Sequence, residues 1–252
     1  MIVLKSLASA FLMYSRIPVP RVEWKEENRR YALCFFPLIG AVIGVMLLLW
    51  QYLCELLNIG VIPRAAIAVL LPVLVTGGIH IDGFCDTIDA VSSYADKQKR
   101  LEIMKDPHIG SFAVIALCTM FLLQFALFCE IHNFGTVAAG YVLSRALSGL
   151  AAVTFKSAKS EGALQSFVKP AHKNVTVGVL AGIVTAGVAA ALNTDRQAGI
   201  FVCAAAAICF LFYRISAYRN FGGITGDTEG WFLQITETAI PAAVFAAEVL
   251  AL

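Results

Sequence analysis

Residues 109–131 have the sequence IGSFAVIALCTMFLLQFALFCEI, in which Glu130 is the only charged residue. About 20 consecutive apolar residues are enough for an α-helix to cross the hydrocarbon core of a bilayer. The whole chain has the same character, since 59% of its 252 residues are hydrophobic and 14% are charged. Soluble domains contain about 25% charged residues. The sequence therefore predicts an all-α integral membrane protein that forms a single domain over residues 1–252.

Apolar runs of similar length recur along the chain and predict a polytopic bundle of about seven transmembrane helices. They cover residues 31–57, 62–79, 109–131, 134–155, 175–192, 198–217 and 230–252. Two glycine pairs, Gly40-x-x-x-Gly44 and Gly178-x-x-x-Gly182, have the spacing that lets helices pack closely in lipid. We expect both pairs to lie at helix–helix contacts.

The Lys and Arg residues alternate along the chain and predict its orientation. Six lie in residues 1–30, four in 80–108, four in 156–174 and two in 214–229, whereas the alternate connections hold two in total. Cytoplasmic segments of membrane proteins carry an excess of Lys and Arg. The pattern predicts a cytoplasmic N-terminus and an external C-terminus. It also predicts that the segments 80–108, 156–174 and 214–229 are cytoplasmic loops that carry the active site.

The acidic residues concentrate in one stretch, GGIHIDGFCDTID, which runs from Gly77 to Asp89. On a helix, Asp82, Asp86 and Asp89 stand at positions i, i+4 and i+7 and therefore share one face. Like charges at this spacing repel one another, and they follow directly on an apolar span, where desolvation adds to the cost. A bound hard cation solves both problems, because Mg²⁺ prefers oxygen ligands. We therefore predict a magnesium site on these carboxylates.

Three more residues near this stretch are candidates for the site. For His80 the candidate roles are a general base, a partner of the metal ligands and a polar residue at the membrane interface. Lys105 is a candidate phosphate contact and Asp106 a candidate metal or substrate ligand. A turn with a basic flank is the alternative explanation for the spacing of these two residues.

A second candidate segment lies between the last two predicted spans and contains three closely spaced glycines. Gly222, Gly223, Thr225 and Gly226 lead to Asp227. Glycines let the backbone approach a ligand closely, and exposed N–H groups can surround a phosphate. We predict that this segment binds the phosphate groups of a substrate, with an ordinary turn as the alternative.

Arg145 lies inside the fourth predicted span and needs an anionic partner there, either a carboxylate or an anionic substrate. Acidic metal ligands, basic phosphate contacts and a glycine-rich segment together favour phosphoryl transfer, in which a metal neutralises a diphosphate. The sequence has no P-loop, no H-E-x-x-H motif and no basic–aromatic surface for nucleic acid. We therefore expect small-molecule substrates and no nucleic-acid partner.

Several of these motifs resemble those of the cobalamin synthase family, whose members are adenosylcobinamide-GDP ribazoletransferases. The matching motifs are SRIP at 15–18, FPLIG at 36–40, GGIHIDGFCDTID at 77–89, EIMKDPHIG at 102–110 and GGITGD at 222–227. They occur in the family's order and extend over essentially the whole chain.

The resemblance implies a magnesium-dependent enzyme of the cell (inner) membrane that acts late in cobalamin biosynthesis. Such an enzyme joins adenosylcobinamide-GDP to α-ribazole, or to α-ribazole 5′-phosphate, and releases GMP. A ribose hydroxyl would attack the phosphorus on the cobinamide side, with His80 or Asp227 as the base. Its partners are these small molecules and the lipid bilayer, and assembly into a homo-oligomer is left open.

The resemblance also implies a division of roles among the candidate residues. Mg²⁺ would bind Asp82, Asp86 and Asp89 and bridge the substrate diphosphate. Lys105 and the segment 222–227 would hold phosphate oxygens.

Two other functions are compatible with the aspartate cluster. A CDP-alcohol phosphotransferase also places several aspartates against a diphosphate, but the spacing Asp82-x-x-x-Asp86-x-x-Asp89 differs from its pattern. A cation carrier would use the carboxylates as an ion site, but carriers place such groups near the bilayer midplane. Here the cluster lies towards the cytoplasmic end of a span.

Overall fold

A computed structural model describes residues 1–251, and within them the protein is helical, with no strand beyond an isolated bridge between Ser157 and Ile224. A four-residue 3₁₀ turn, Ala32–Phe35, precedes the third α-helix. The α-helices are α1 Ile2–Tyr14, α2 Glu26–Arg29, α3 Phe36–Leu56, α4 Val61–Thr76, α5 Ile79–Ser92, α6 Lys97–Ile103, α7 Ser111–Glu130, α8 Phe134–Thr154, α9 Ala163–Val168, α10 Lys173–Thr194, α11 Arg196–Phe221 and α12 Gly226–Leu250. The predicted all-α fold is confirmed.

Among residues 1–251, six helices, or seven if a broken pair counts as one, are long and apolar enough to span a membrane. The six are α3 with the turns that lead into it, α7, α8, α10, α11 and α12. The broken pair is α4 and α5, which meet at an angle of 94°. The prediction of about seven spans is therefore confirmed.

The bend between α4 and α5 depends on two successive glycines. Gly77 and Gly78 have φ angles of +68° and +80°, which residues with a side chain rarely adopt. Gly77 caps the end of α4 and Gly78 precedes the first turn of α5. The acidic helix α5 is therefore turned away from the direction of the apolar helix α4.

The predicted cytoplasmic loops are largely helical. α5 and α6 occupy most of residues 80–108, and only residues 222–225 separate α11 from α12. The last predicted span begins four residues too late, because α12 starts at Gly226. Thr225 caps that helix, since its side chain accepts a hydrogen bond from the N–H of Thr228 and the Thr228 hydroxyl accepts one from the N–H of Thr225.

The connections rich in Lys and Arg lie at the same end of the bundle. The carboxylate of Asp89 at the end of α5 bonds the start of α7. Backbone hydrogen bonds join Ile224 to Lys156 and Ala158, and Arg100 of α6 donates to the side chain of Asn220 at 2.5 Å. We call this the polar end of the bundle.

The two glycine pairs have different surroundings. A methyl group on Gly40 would overlap the backbone carbonyl of Tyr141, and one on Gly44 would lie 3.0 Å from the Ala138 side chain. This pair is a close contact between α3 and α8, as predicted. The prediction is wrong for Gly178 and Gly182, which have nothing within 4 Å because that face of α10 points away from the bundle.

Arg145 finds its partner inside the bundle. Its guanidinium donates to the Glu237 carboxylate at 2.6 Å, and the two side chains are 0% and 2% exposed. Of the two partners considered from the sequence, the structure supplies the carboxylate. The pair joins α8 to α12. The two residues pair because either charge, buried alone in the bundle, would be very costly.

The glycine contact can be tested with two matched substitutions. We expect Gly40→Ala to lower the free energy of unfolding by about 1–3 kcal/mol, because the overlap is with backbone that cannot rotate away. Gly182→Ala, in open surroundings, should leave stability unchanged or raise it slightly. Thermal unfolding of both variants in detergent measures the difference, and equal midpoints would contradict the assigned packing.

The buried ion pair makes a second prediction. Arg145→Leu should lower the free energy of unfolding by about 3–5 kcal/mol, because it leaves the Glu237 carboxylate buried without a countercharge. The double variant Arg145→Leu/Glu237→Leu should recover much of that loss. The fraction of each variant that stays monodisperse after a series of heating steps measures both the loss of stability and its recovery. A double variant no more stable than the single one would argue against the pair.

Candidate active site

The acidic helix α5 and the first turns of α12 cross in direct backbone contact. A Cβ atom on Gly83 would lie 2.7 Å from the carbonyl oxygen of Asp227, and one on Gly230 would lie 2.9 Å from the carbonyl oxygen of His80. Residues with small or absent side chains let helix backbones approach this closely. The crossing therefore places the α5 carboxylates beside the start of α12.

Asp82 and Asp86 lie on the open side of this crossing. Asp82 is exposed and Asp86 is half-buried. Asp86 is within electrostatic reach of Asp82, Asp89 and Asp227, and of the Lys159 ammonium. That ammonium lies 3.4 Å from the Asp227 carboxylate. A cluster of carboxylates beside a single ammonium group is a strongly negative region.

Asp89 has a different role from its two neighbours on α5. Its carboxylate accepts hydrogen bonds from the backbone N–H groups of Gly110 at 2.6 Å and Ala113 at 3.0 Å. Gly110 is the N-cap residue of α7, so Asp89 supplies from another helix the capping oxygen that Gly110 lacks. Helix N-termini stabilise negative charge, and Asp89 therefore fastens α7 to the end of α5.

The donor set fits a hard cation that a substrate helps to bind. Among residues 1–251, no group of three or more His, Cys, Asp and Glu side chains is arranged to hold a metal ion by itself. Mg²⁺, however, is commonly held by one or two carboxylates together with substrate phosphates and water. Asp82 and Asp86 would be those carboxylates, whereas both oxygens of Asp89 are engaged by α7. Magnesium binding stays a prediction.

Asp82 separates two cavities of unequal size. One is the more closed of the two, although exposed residues such as Ala163 are among its lining. It has a volume of about 250 Å³ and lies between α1, α5, α8 and α12, and we call it the enclosed cavity. The other is an open groove of about 940 Å³ along α5 and the segment that precedes α7. Asp82 lines both of them.

The open groove is bordered by charged residues of both signs. Asp86, Lys105 and Asp106 line it, together with Arg16 from the end of α1. The backbone N–H and the ring of His108 bond the Asp106 carboxylate and lower its pKa. The groove thus brings Lys105 and Asp106 together with the aspartates of α5, as predicted from the sequence. It also contains Arg16, which was not among the predicted site residues.

The glycine-rich segment does not present its N–H groups to a ligand as predicted. The N–H groups of Gly222, Gly223 and Ile224 bond carbonyl groups of α11 and of Lys156, and that of Thr225 bonds the Thr228 hydroxyl. Gly223 lies against the backbone of residues 156–158, where a side chain would not fit. The N–H groups of residues 222–225 are therefore engaged by the protein itself.

The first turn of α12, in contrast, borders the enclosed cavity. Gly226 and Asp227 both line it, and the first N–H groups of a helix have no acceptor within the helix. A helix N-terminus favours bound anions and polar oxygen atoms. Of the predicted segment, Gly226 is therefore the glycine placed where its N–H could contact an anion, and phosphate binding there stays a prediction.

Three buried polar residues, His80, Ser148 and Glu229, line the enclosed cavity. One Glu229 oxygen accepts a hydrogen bond from the Ser148 hydroxyl, and the Tyr213 hydroxyl lies close to the same carboxyl group. Among the described residues, Glu229 Oε1 and His80 Nε2 have no partner within hydrogen-bond distance. Arg145, predicted to bind substrate, lines neither cavity because it is fully buried with Glu237.

Glu229 and Ser148 are site residues that sequence reasoning missed. Glu229 was assigned to a loop because α12 was started too late. Its signal is the pair Thr225 and Thr228, which caps the helix and sets the register of Glu229. Ser148 carries no signal of its own, since hydroxyls are common inside transmembrane helices.

The comparisons with known proteins point to one family. The family model described as cobalamin-5-phosphate synthase matches residues 6–245. A protein of Lachnoclostridium phytofermentans is 46% identical over 97% of this chain and 95% of its own length. Proteins of Treponema denticola and Shewanella amazonensis are 33% and 31% identical, over 94% and 92% of this chain and 96% and 91% of theirs. All three are named adenosylcobinamide-GDP ribazoletransferase. No solved structure is significantly similar to the chain.

The capping role of Asp89 gives a prediction about stability. Asp89→Ala should lower the free energy of unfolding by about 0.5–2 kcal/mol, as loss of an N-cap does. Asp89→Asn, which keeps an oxygen acceptor, should lose less. The matched variant Asp82→Ala should leave stability unchanged or raise it, because it relieves repulsion with Asp86. Unfolding midpoints that rank Asp82→Ala below Asp89→Ala would contradict this assignment.

Proposed function

The chain belongs to the cobalamin-5-phosphate synthase family, and on that basis we propose that it joins adenosylcobinamide-GDP to α-ribazole, or to α-ribazole 5′-phosphate, and releases GMP. The reaction transfers the cobinamide phosphoryl group from GMP to a ribose hydroxyl. The two substrates must therefore bind next to each other, beside a group that stabilises the negative charge of the diphosphate.

The position of Asp82 is the observation that carries this proposal. It lines both the open groove and the enclosed cavity, so a molecule in each would meet beside its carboxylate. The groove also offers Arg16 and Lys105 to the oxygens of a diphosphate. A site with two connected spaces and an acidic group between them suits a transfer between two substrates.

The chain's own residues would divide the work as follows. Asp82 and Asp86 would hold Mg²⁺, which, when bound, neutralises diphosphate charge and stabilises GMP as the leaving group. Lys105 and Arg16 orient the diphosphate in the groove. The proton of the attacking hydroxyl passes to Asp227 or His80, which both line the cavity beside Asp82.

We also propose that the site faces the cytoplasm from the cell membrane. The polar end of the bundle carries the segments 80–108, 156–174 and 214–229, which hold most of the Lys and Arg residues beyond the N-terminal 30. Such segments remain on the cytoplasmic side during insertion. Both substrates would then reach the groove from the compartment that contains nucleotides.

The other two functions considered from the sequence are not favoured. The family match and the relatives cover nearly the whole chain and name neither a lipid phosphotransferase nor a carrier. The aspartates lie at the polar end of the bundle, beside exposed residues, and not near its middle. A carrier would need its ion site between the two faces of the membrane.

The activity can be tested with purified protein in detergent. Adenosylcobinamide-GDP, α-ribazole and Mg²⁺ should together yield GMP and the joined corrinoid, and removal of Mg²⁺ with EDTA should abolish both. Asp82→Asn should lower kcat/KM by at least about 100-fold, because loss of a group that only hydrogen-bonds a metal ligand already costs about 10–100-fold.

Asp96→Asn is the matched control for this test. Asp96 caps α6 through its side chain and lines neither cavity, and asparagine caps a helix equally well. Its activity should equal that of the unmodified protein. Absence of GMP from the unmodified, correctly folded protein would refute the proposed function.

A further inference from the structure

We propose that the enclosed cavity between α1, α5, α8 and α12 binds the nucleoside that accepts the phosphoryl group, and that Glu229 and His80 hydrogen-bond its polar atoms. The inference rests on the proposed function, because it assigns one of the two substrates of that reaction to this cavity. The open groove then takes the corrinoid nucleotide.

The sizes of the two spaces favour this assignment. The enclosed cavity has a volume of about 250 Å³ and the groove one of about 940 Å³. Drug-sized ligands occupy pockets of about 300–1,000 Å³, so the cavity accepts a single nucleoside at most. A corrin ring with its nucleotide tail is far too large for it and needs the open groove.

The walls of the cavity match a flat, apolar base. Leu33, Phe36 and Tyr14 line one part of it, and the rings of Phe36 and Tyr14 lie 4.5 Å apart between centroids. The base of α-ribazole is a benzimidazole, an apolar aromatic bicycle. Aromatic side chains bind such rings through stacked or edge contacts.

The polar residues of the cavity match the ribose. Among the described residues, His80 Nε2 is buried and has no hydrogen-bond partner. Glu229 Oε1 has none within hydrogen-bond distance, although the Tyr213 hydroxyl lies close to the Glu229 carboxyl group. A buried polar atom without a partner is costly. Ribose hydroxyls are donors to a carboxylate and both donors and acceptors to an imidazole. The Ser148 hydroxyl bonds the second Glu229 oxygen and holds the carboxylate in place. Asp82 lies at the border with the groove, where a hydroxyl would attack.

Steady-state kinetics with each substrate varied in turn tests this assignment. Glu229→Gln keeps the shape of the side chain and replaces one of its oxygen atoms with an NH2 group, which cannot accept a hydrogen bond. It should raise the KM for α-ribazole by about 3- to 10-fold, as the loss of one hydrogen bond does. The KM for adenosylcobinamide-GDP should stay unchanged. Ser148→Ala should also raise the KM for α-ribazole, but by a smaller factor.

A steric variant tests the cavity without touching its polar groups. Ala163 is exposed at the start of α9 and lines the cavity, so Ala163→Phe should narrow it without disturbing the fold. The Ala163→Phe variant should raise the KM for α-ribazole and leave the KM for adenosylcobinamide-GDP unchanged. Ala207→Phe is the matched control, because Ala207 is exposed on α11 and lines neither cavity.

Equilibrium dialysis of labelled α-ribazole against the protein, without any corrinoid, separates this inference from the proposed function. Binding by the unmodified protein that Ala163→Phe weakens would support the cavity assignment even if no GMP were formed. If GMP is formed while Glu229→Gln and Ala163→Phe raise the KM for adenosylcobinamide-GDP, or alter neither constant, the cavity does not bind the nucleoside. Should Glu229→Gln fail to fold, Ala163→Phe and Ser148→Ala decide the question.

Discussion

The backbone contact between α5 and α12 is the constraint on which the site depends. Gly83 and Gly230 leave no room for a side chain between the two helices. The contact fixes the distance between the carboxylates of α5 and the first turn of α12, and the enclosed cavity lies along it. Van der Waals contact between backbones is effective in lipid, where no hydrophobic force drives helices together. A rigid crossing of this kind holds catalytic groups more accurately than flexible loops can.

Two further features turn this crossing into an open site. The left-handed glycines Gly77 and Gly78 end α4 and redirect the chain by 94°. The Asp89 carboxylate then fastens the start of α7 to the far end of α5. Between the bend and the cap, α5 is held at both ends, and the groove opens along the face that carries Asp82 and Asp86. The positions of Asp82 and Asp86 therefore depend on how α4 ends and how α7 begins.

The sequence predicts the spans well because each depends on a long run of apolar residues, and lipid demands such runs. It predicts the site less completely, because one residue type can serve several purposes. A carboxylate that caps a neighbouring helix, such as Asp89, has the same sequence signature as a metal ligand. The partner of Arg145 lies 92 positions further along the chain and becomes evident only when α8 and α12 pack together. The sequence pattern places Glu229 in a loop, whereas Thr225 and Thr228 cap α12 and put Glu229 in its first turns.

The three aspartates on one face of α5 thus have unequal surroundings. The N-terminus of α7 compensates the charge of Asp89, whereas Asp82 and Asp86 lie close to a third carboxylate, that of Asp227, and to the Lys159 ammonium. Because the α5–α12 contact prevents these groups from moving apart, folding retains their mutual repulsion. If Asp82 and Asp86 hold Mg²⁺ as proposed, the positive charge of the cation would relieve this repulsion, and binding of the metal and of a diphosphate substrate would favour each other. Such coupling would allow a site without three preformed ligands to use a metal ion.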